Sequence, residues 1–134
     1  LPAAIGAVAA SGNKPHVLVD GDASVMMHVG EFETAVRYGM PLMVVCLNNQ
    51  ALGSEYYKFD AHKMKADLAT VGSPDLGAVG KAFGGRGRLV RSVDELRSAT
   101  REFLENPAPT MLDVRISRNV ITLPYRRIHY GRDE

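Results

Sequence analysis

Two short apolar runs, VLV and LMVVCL, are the feature that most constrains the fold of this 134-residue chain. Runs this short and unbroken are typical of strands buried on both faces, as in parallel sheets. The first follows His16 and the second covers residues 42–47. Further strand-like segments at 88–90 and 111–116 predict two more strands.

Segments of helical character separate these runs. They lie at residues 3–10, at 30–38, after a Ser73 cap with Pro74 at the first position, and after a Ser92–Glu95 capping box. Residues 50–72 lack clean periodicity, and we expect a loop or a short irregular helix there. The alternation predicts an α/β fold: an open, mostly parallel sheet with helices on both faces, in one domain over residues 1–134.

Composition excludes several classes of protein. A net charge of +1 gives no reason to propose nucleic acid or an acidic membrane as a partner. No segment reaches the ~18 apolar residues that a membrane span needs. The single cysteine, Cys46, excludes an internal disulfide framework and fits a reducing, cytoplasmic location. Its place inside PLMVVCL favours a buried hydrophobe over a nucleophile.

The two ends of the chain differ in composition, and we predict a different environment for each. The opening LPAAIGAVAA resembles the interior of a helix and has no initiator methionine, so we expect a piece of a longer polypeptide. The tail over residues 117–134 is basic, and we expect it to contact a neighbour or lie on the surface. Its arginines are Arg118, Arg126, Arg127 and Arg132.

Small, oxygen-bearing residues follow the first two strands. Asp22 comes just after the first strand, and Asn48 and Asn49 come just after the second. Ligands of open parallel sheets bind beyond the carboxyl ends of strands, so these groups converge if the strands are neighbours. A carboxylate, an amide oxygen and a backbone carbonyl suit Mg²⁺. Either pattern alone is common in ordinary loops, but the pair flanking one βαβ unit favours a site.

The turn around Asp22 also suits an anion. Gly21, Ala23 and Ser24 are small, so backbone N–H groups can approach phosphate oxygens, and the serine hydroxyl can add a hydrogen bond. Together the two strand ends suggest a diphosphate bridged by a metal ion.

These residues carry a resemblance to a known family. The pattern GDA, then 24 residues from Ser24 to Leu47, then NN resembles the thiamine-diphosphate motif of GDG, a similar spacing and NN. LPAAIGA, EFETAVRYGMP, NNQALG and the stretch SPDLGAVGKAFGGRGRLVRSVDELRSATREFL are similar to the acetolactate synthase, benzaldehyde lyase and benzoylformate decarboxylase branch. The chain therefore resembles the C-terminal diphosphate-binding domain of these enzymes over nearly its whole length.

The resemblance implies a role for each matching residue. Asp22 and Asn49 would bind Mg²⁺ through their side chains and Ala51 through its backbone carbonyl. The residues implied in binding thiamine diphosphate are Gly21, Asp22, Ala23, Ser24, Asn49, Ala51, Leu52 and Gly53. Asn48 would brace the turn.

Some positions depart from the family or stay open. Ala23 replaces the glycine that is the third residue of the family motif, which is tolerable if its φ is negative and costs about 1 kcal/mol or more if φ is positive. Glu55 is either a substrate-facing acid, as in related 2-oxoacid decarboxylases, or a solvated loop residue. Glu31 is expected to be structural or at an interface. His28 and His62 are structural or point into the cleft.

The resemblance also indicates what must lie elsewhere. In the family, a glutamate from a separate pyrimidine-binding domain, usually on a neighbouring subunit, activates the cofactor. We therefore expect a homo-oligomer, dimer or tetramer, acting on a small 2-oxoacid or aldehyde, and an isolated chain that catalyses nothing. Two alternatives stay open: one subunit of a split 2-oxoacid decarboxylase, and a non-catalytic nucleotide-binding or interaction module.

Overall fold

A four-stranded parallel sheet organises the chain. The computed structural model describes residues 1–131, so the predicted tail arginine Arg132 lies outside the described residues. The strands are β1 (His16–Gly21), β2 (Leu42–Asn48), β3 (Arg86–Val90) and β4 (Thr110–Arg115). They pair in the order β1-β2-β4-β3, and every pairing is parallel. The predicted α/β class and parallel sheet are confirmed.

Six α-helices connect and cover the strands. They are α1 (Pro2–Ala10), α2 (Asp22–Met27), α3 (Glu31–Arg37), α4 (Gly53–Ala61), α5 (Leu76–Ala82) and α6 (Val93–Glu105). A 3₁₀ turn spans Ala66–Ala69, and a short α-helix, α7 (Leu123–Tyr125), runs into a π-helical turn at Arg126–Tyr130. No helix within residues 1–131 has the length and apolar character that a membrane crossing requires.

The core lies on both faces of the sheet, because alternate residues of β2 point to opposite sides. Leu42 and Val44 join a cluster with Phe32 of α3 and Val25 of α2. On the opposite face, Met43 and its neighbours pack against α6 in a second cluster: Val45, Val90, Ala99, Phe103, Leu112 and Val114. Burial of β2 on both sides explains why its sequence is an unbroken apolar run.

Two predicted local features differ from the structure. Residues 53–61, predicted as a loop or irregular helix, form the regular helix α4. The predicted Ser73 cap is wrong, because α5 begins at Leu76 and its cap is Asp75, whose carboxylate accepts a hydrogen bond from the Ala78 N–H. Ser73 instead donates its hydroxyl proton to Asp22, a partner 51 residues away in sequence. A tertiary hydrogen bond thus replaces the local one that the spacing predicted.

A buried ion pair fixes the start of α5. Asp113 is fully buried and accepts hydrogen bonds from the Leu76 N–H and from the Arg115 guanidinium, both at 2.9 Å. Arg115 also donates to the carbonyl of Pro74 at 3.2 Å. Together these contacts tie the segment leading into α5 to the end of β4, close to the carboxyl ends of the strands.

Helix α5 packs so closely on β3 that Gly77 cannot carry a side chain. A Cβ on Gly77 would lie 2.6 Å from the backbone carbonyl of Arg88, whereas a Cβ on Gly6 in α1 would meet nothing within 4 Å. We expect Gly77→Ala to lower the free energy of unfolding by ~1–3 kcal/mol or more through overpacking. Gly6→Ala should raise it by ~0.5–1 kcal/mol through helix propensity. Urea unfolding of both variants measures the change in the free energy of unfolding. Equal changes in the two variants would contradict the close packing of α5 on β3.

Cys46 is buried in β2, and burial, with the nearby Asp113 carboxylate second, raises the pKa of its thiol from 9.0 to about 12. A thiol-specific reagent at pH 8 should therefore modify the native protein only as fast as it unfolds. The unfolded chain loses this proton first, so the thiol's contribution to stability is complete below pH 9.0 and falls as pH rises towards 12. A Cys46→Ala variant should therefore lose less stability than the wild type as the pH rises above 9.0. Rapid native labelling at pH 8 would contradict the buried placement.

Candidate functional site

The parallel pairing of β1 with β2 brings the two predicted strand ends to one edge of the sheet. The ladder runs in register from His16 opposite Leu42 to Gly21 opposite Leu47. Asp22 directly follows β1, and Asn49 directly follows β2, so both residues lie at the carboxyl edge of the sheet. The expectation that the two strand ends converge required β1 and β2 to be neighbours in the sheet, and they are.

A pocket of about 600 Å³ opens at this edge. All eight residues predicted to bind the cofactor line it: Gly21, Asp22, Ala23, Ser24, Asn49, Ala51, Leu52 and Gly53. Glu55 and Tyr57 of α4 line it as well, and Ser117, Val120 and Tyr125 bring the C-terminal segment to its wall. Within the described chain, the two strand ends, α4 and the tail thus surround one cavity.

Asp22 is the buried acid of this pocket. It is the first residue of α2, and only 1% of its surface is exposed. The Ser73 hydroxyl donates to its Oδ2 at 2.6 Å. A negative charge at the start of a helix also faces the unpaired backbone N–H groups, which favour it. The carboxylate is therefore held in one orientation, and its Oδ1 takes no part in that hydrogen bond.

Ala23 and Ser24 lie in the first turn of α2, beyond the Gly21 cap. Among residues 1–131, the non-glycine residues with positive φ are Asn13, Gln50 and Lys63, so Ala23 has a negative φ and its methyl group causes no backbone strain. The condition under which the replacement of the motif glycine costs no backbone strain, a negative φ, is therefore met.

Asp20, at the end of β1, organises the turn that follows it. One of its carboxylate oxygens accepts the Gly21 N–H at 2.9 Å, and the other accepts the Ser24 hydroxyl at 2.8 Å. The hydroxyl proton of Ser24 is therefore used in the hydrogen bond to Asp20. The lone pairs of the hydroxyl oxygen remain able to accept a hydrogen bond. The analysis of the sequence missed Asp20, although an Asp four residues before a Ser at a helix start was a visible signal.

The Asn48–Asn49 pair builds two consecutive side-chain turns. Oδ1 of Asn48 accepts the N–H of Gln50, and Oδ1 of Asn49 accepts the N–H of Ala51, both at 3.1 Å. Between them Gln50 has a φ of 59°, the left-handed region that costs a non-glycine residue ~1–2 kcal/mol. Asn48 is 1% exposed and braces the turn as expected. Its Nδ2 has no hydrogen-bond partner within the described residues.

Residues 69–71 also hold the loop after Asn49, through backbone hydrogen bonds. The Leu52 N–H donates to the carbonyl of Ala69 at 2.8 Å, and the Val71 N–H donates to that of Gln50 at 3.0 Å. Helix α4 then starts at Gly53, where a Cβ would lie 3.1 Å from Nδ2 of Asn49. The small residue therefore leaves room for the asparagine side chain beside the helix start.

Arg118 reaches the same loop from the C-terminal segment. Its Nε donates to the carbonyl of Asn49 and its Nη2 to the carbonyl of Gln50, each at 3.1 Å. The Tyr57 hydroxyl donates back to the carbonyl of Arg118, also at 3.1 Å. Sequence analysis missed this role, since no local pattern relates an arginine to carbonyls 68 and 69 residues away.

The tail therefore lies against this chain's own helix α4. The rings of Tyr57 and Tyr125 have centroids 5.6 Å apart, and the Tyr130 hydroxyl donates to Asp60 at 2.7 Å. Burial is the main cause that raises the pKa of Tyr130 to about 12, with the Asp60 contact adding to it. Arg126 is exposed on this segment.

The remaining candidate residues lie outside or at the rim of the pocket. His28 and His62 are exposed at the C-terminal ends of α2 and α4, and neither lines the pocket. Glu31 is exposed in the first turn of α3. Glu55 is exposed in the first turn of α4 but does line the pocket, so both interpretations of it remain open.

The pocket offers oxygen donors and backbone N–H groups. Within residues 1–131 no cluster of three or more His, Cys, Asp and Glu residues could hold a metal ion unaided. One buried carboxylate, an asparagine amide and backbone carbonyls suit a Mg²⁺ ion whose other ligands come from water and a phosphate. The small residues at the start of α2 leave space for such an anion near backbone N–H groups.

Comparison with known proteins identifies a family with this chemistry. The sequence model described as thiamine pyrophosphate enzyme, C-terminal TPP binding domain, matches residues 1–114. The acetolactate synthase large subunit of Parasynechococcus marenigrum is 33% identical over 122 residues, which cover 88% of this chain. The mitochondrial acetolactate synthase catalytic subunit of Saccharomyces cerevisiae is 32% identical over 143 residues, covering 100% of the chain. The chain spans 20% of the length of each relative.

Solved structures agree with this assignment. Benzoylformate decarboxylase from Polynucleobacter necessarius superposes with a TM-score of 0.75 at 25% identity, covering 90% of this chain and 23% of that one. The thiamine diphosphate-dependent 4-hydroxybenzoylformate decarboxylase of Rhodococcus jostii has a TM-score of 0.77 at 24% identity, covering 90% of this chain and 23% of that one, and supports the fold. The chain therefore belongs to the thiamine pyrophosphate enzymes, as an acetolactate synthase-like C-terminal TPP-binding domain.

Proposed function

We propose that this chain holds the diphosphate of thiamine diphosphate through Mg²⁺, in an enzyme that makes or breaks carbon–carbon bonds next to the carbonyl of a 2-oxoacid. The observation that carries the proposal is a pocket at the carboxyl edge of β1 and β2 that both strand ends share. Residues implied by the motif at both strand ends line that one cavity. The names of the relatives, acetolactate synthase and benzoylformate decarboxylase, support the reaction class.

Three residues are proposed as protein ligands of Mg²⁺. The buried carboxylate of Asp22 and the side-chain oxygen of Asn49 would supply two donors, and the backbone carbonyl of Ala51 a third. Asn49 Oδ1 already accepts the Ala51 N–H, but an amide oxygen has two lone pairs and retains one for a metal ion.

Small residues beside these ligands would hold the diphosphate. The start of α2 offers backbone N–H groups at Ala23 and Ser24, and Gly21 keeps the approach free of bulk. Leu52 and Gly53 form the facing wall. Bound here, thiamine diphosphate supplies a nucleophilic thiazolium carbon and an electron sink for carbonyl chemistry. This chain's residues would bind and orient it, and Glu55 is proposed as an acid that faces the substrate.

The remainder of the active site is proposed to come from a pyrimidine-binding domain, on the same polypeptide or on a neighbouring subunit of a dimer or tetramer. Support comes from the relatives, of whose length this chain spans 20%. We propose a cytoplasmic location, and the 134 residues alone are expected to bind the cofactor weakly and to catalyse nothing.

The test is cofactor binding by an Asp22→Asn variant. Asparagine preserves the shape of the side chain and an acceptor for Ser73 but removes the charge. We expect the affinity for thiamine diphosphate with Mg²⁺ to fall beyond the ~10–100-fold that outer-shell partners of metal sites contribute. Calorimetry on the full chain as its gene encodes it measures this. The control, Asp94→Asn, removes an exposed charge from α6 and should bind as the wild type does.

Unchanged affinity in Asp22→Asn would contradict the proposed metal site. Absence of any thiamine diphosphate binding by the wild type, with Mg²⁺ present, would contradict the proposed function as a whole.

Restoring the glycine of the family motif provides a separate test of the turn. Ala23 has a negative φ inside α2, so glycine gains nothing from its conformational freedom there. We expect Ala23→Gly to lower the free energy of unfolding by ~0.5–1 kcal/mol without tightening the binding of thiamine diphosphate. Thermal unfolding and calorimetry measure the two effects, and tighter binding by the variant would show that the methyl group obstructs the site.

A further inference from the structure

We propose that Arg118 is a positioning residue that holds the loop carrying Asn49 and Ala51 in the conformation that binds the metal ion. The inference rests on the proposed function, since it concerns the same Mg²⁺ ligands. Arg118 itself lies in the C-terminal segment, beyond the residues matched by the family model. It would act from outside the motif through hydrogen bonds to the backbone.

The contact of Arg118 with the loop has a defined geometry. Two different nitrogens of one guanidinium donate to two consecutive carbonyls, those of Asn49 and Gln50, each at 3.1 Å. Hydrogen bonds from a charged donor are stronger than neutral ones, and the planar fork of arginine fixes the direction of both. A lysine could keep the charge but could not present two donors with this geometry.

These two carbonyls belong to the peptide groups on either side of Gln50. Holding both groups fixes the φ and ψ of Gln50, whose φ of 59° lies in the left-handed region that a glutamine rarely adopts. That conformation sets where the Asn49 side chain lies relative to the backbone of Ala51. The same Gln50 carbonyl also accepts the Val71 N–H at 3.0 Å, so the loop is held from two sides.

Arg118 is itself anchored to helix α4. Its guanidinium carbon lies 5.4 Å from the centroid of the Tyr56 ring, within the range of a cation–π contact. The Tyr57 hydroxyl donates to the Arg118 carbonyl at 3.1 Å. The arginine is therefore part of a contact between the tail, α4 and the loop. These contacts restrain its side chain in the orientation that donates to the two carbonyls.

The experiment compares Arg118→Met with Arg126→Met, which removes the same charge from an exposed position of the same tail. Both variants are made in the full chain as its gene encodes it. Mn²⁺ replaces Mg²⁺ as the probe, and electron paramagnetic resonance measures its affinity at saturating thiamine diphosphate. Hydrogen exchange at the amides of Ala51, Leu52 and Val71, without metal or cofactor, reports the order of the loop.

We expect Arg118→Met to weaken Mn²⁺ binding by about tenfold, as loss of an outer-shell partner typically does, and to speed exchange at the loop amides. Arg126→Met should match the wild type in both measurements. Arg118→Lys should recover at most part of the affinity, because it restores the charge without the fork.

Several other outcomes would overturn the inference. Faster loop exchange with wild-type Mn²⁺ affinity would make Arg118 purely structural and overturn the inference. An Arg118→Lys variant with full affinity would show that charge alone acts, which also overturns it. If the wild type binds no Mn²⁺, or Asp22→Asn binds it normally, the proposed function fails and the inference fails with it.

Discussion

The backbone ladder between β1 and β2 sets where the two strand ends that carry the candidate ligands lie in the pocket. Because the two strands run parallel and in register, their carboxyl ends finish together, and Asp22 and Asn49 emerge at the same edge. An antiparallel pairing of the same two strands would place these residues at opposite ends of the sheet. The burial of β2 on both faces supports this arrangement, since it needs helices on each side and therefore crossover connections.

Polar groups at the site are held by partners from distant parts of the chain. Ser73 orients Asp22, and Arg118 holds the carbonyls beside Gln50. Asp113 and Arg115 fix the segment from Pro74 to Leu76 that carries Ser73 towards the pocket. A buried carboxylate with too few partners is costly, so such contacts stabilise the fold and orient the donors at the same time. Stability and the proposed cofactor binding are therefore linked through the same hydrogen bonds.

Part of the site could be predicted because it is built from local patterns. The apolar runs indicated strands, and the spacing of Asp22 and Asn49 placed both just after them. The side chains of Asn48 and Asn49 form turns with residues only two positions away, which is a preference that asparagine carries wherever it occurs. The prediction failed for Ser73, where Pro74 and the spacing suggested a helix cap. A local rule could not anticipate that Asp22 would be the better partner, because that depends on how α5 packs.

The sequence by itself determined the succession of the four strands with helices α1, α3, α5 and α6, the α/β class, the family resemblance and the two turns that carry the candidate ligands. These follow from periodicity and turn chemistry, which act over a few neighbouring residues. Only the tertiary structure decided that Ala23 has a negative φ within α2, and that Ser73 and Arg118 reach the two strand ends. Such contacts join residues 51 to 69 positions apart, and their partners become neighbours only after the sheet has formed and the tail has packed on α4.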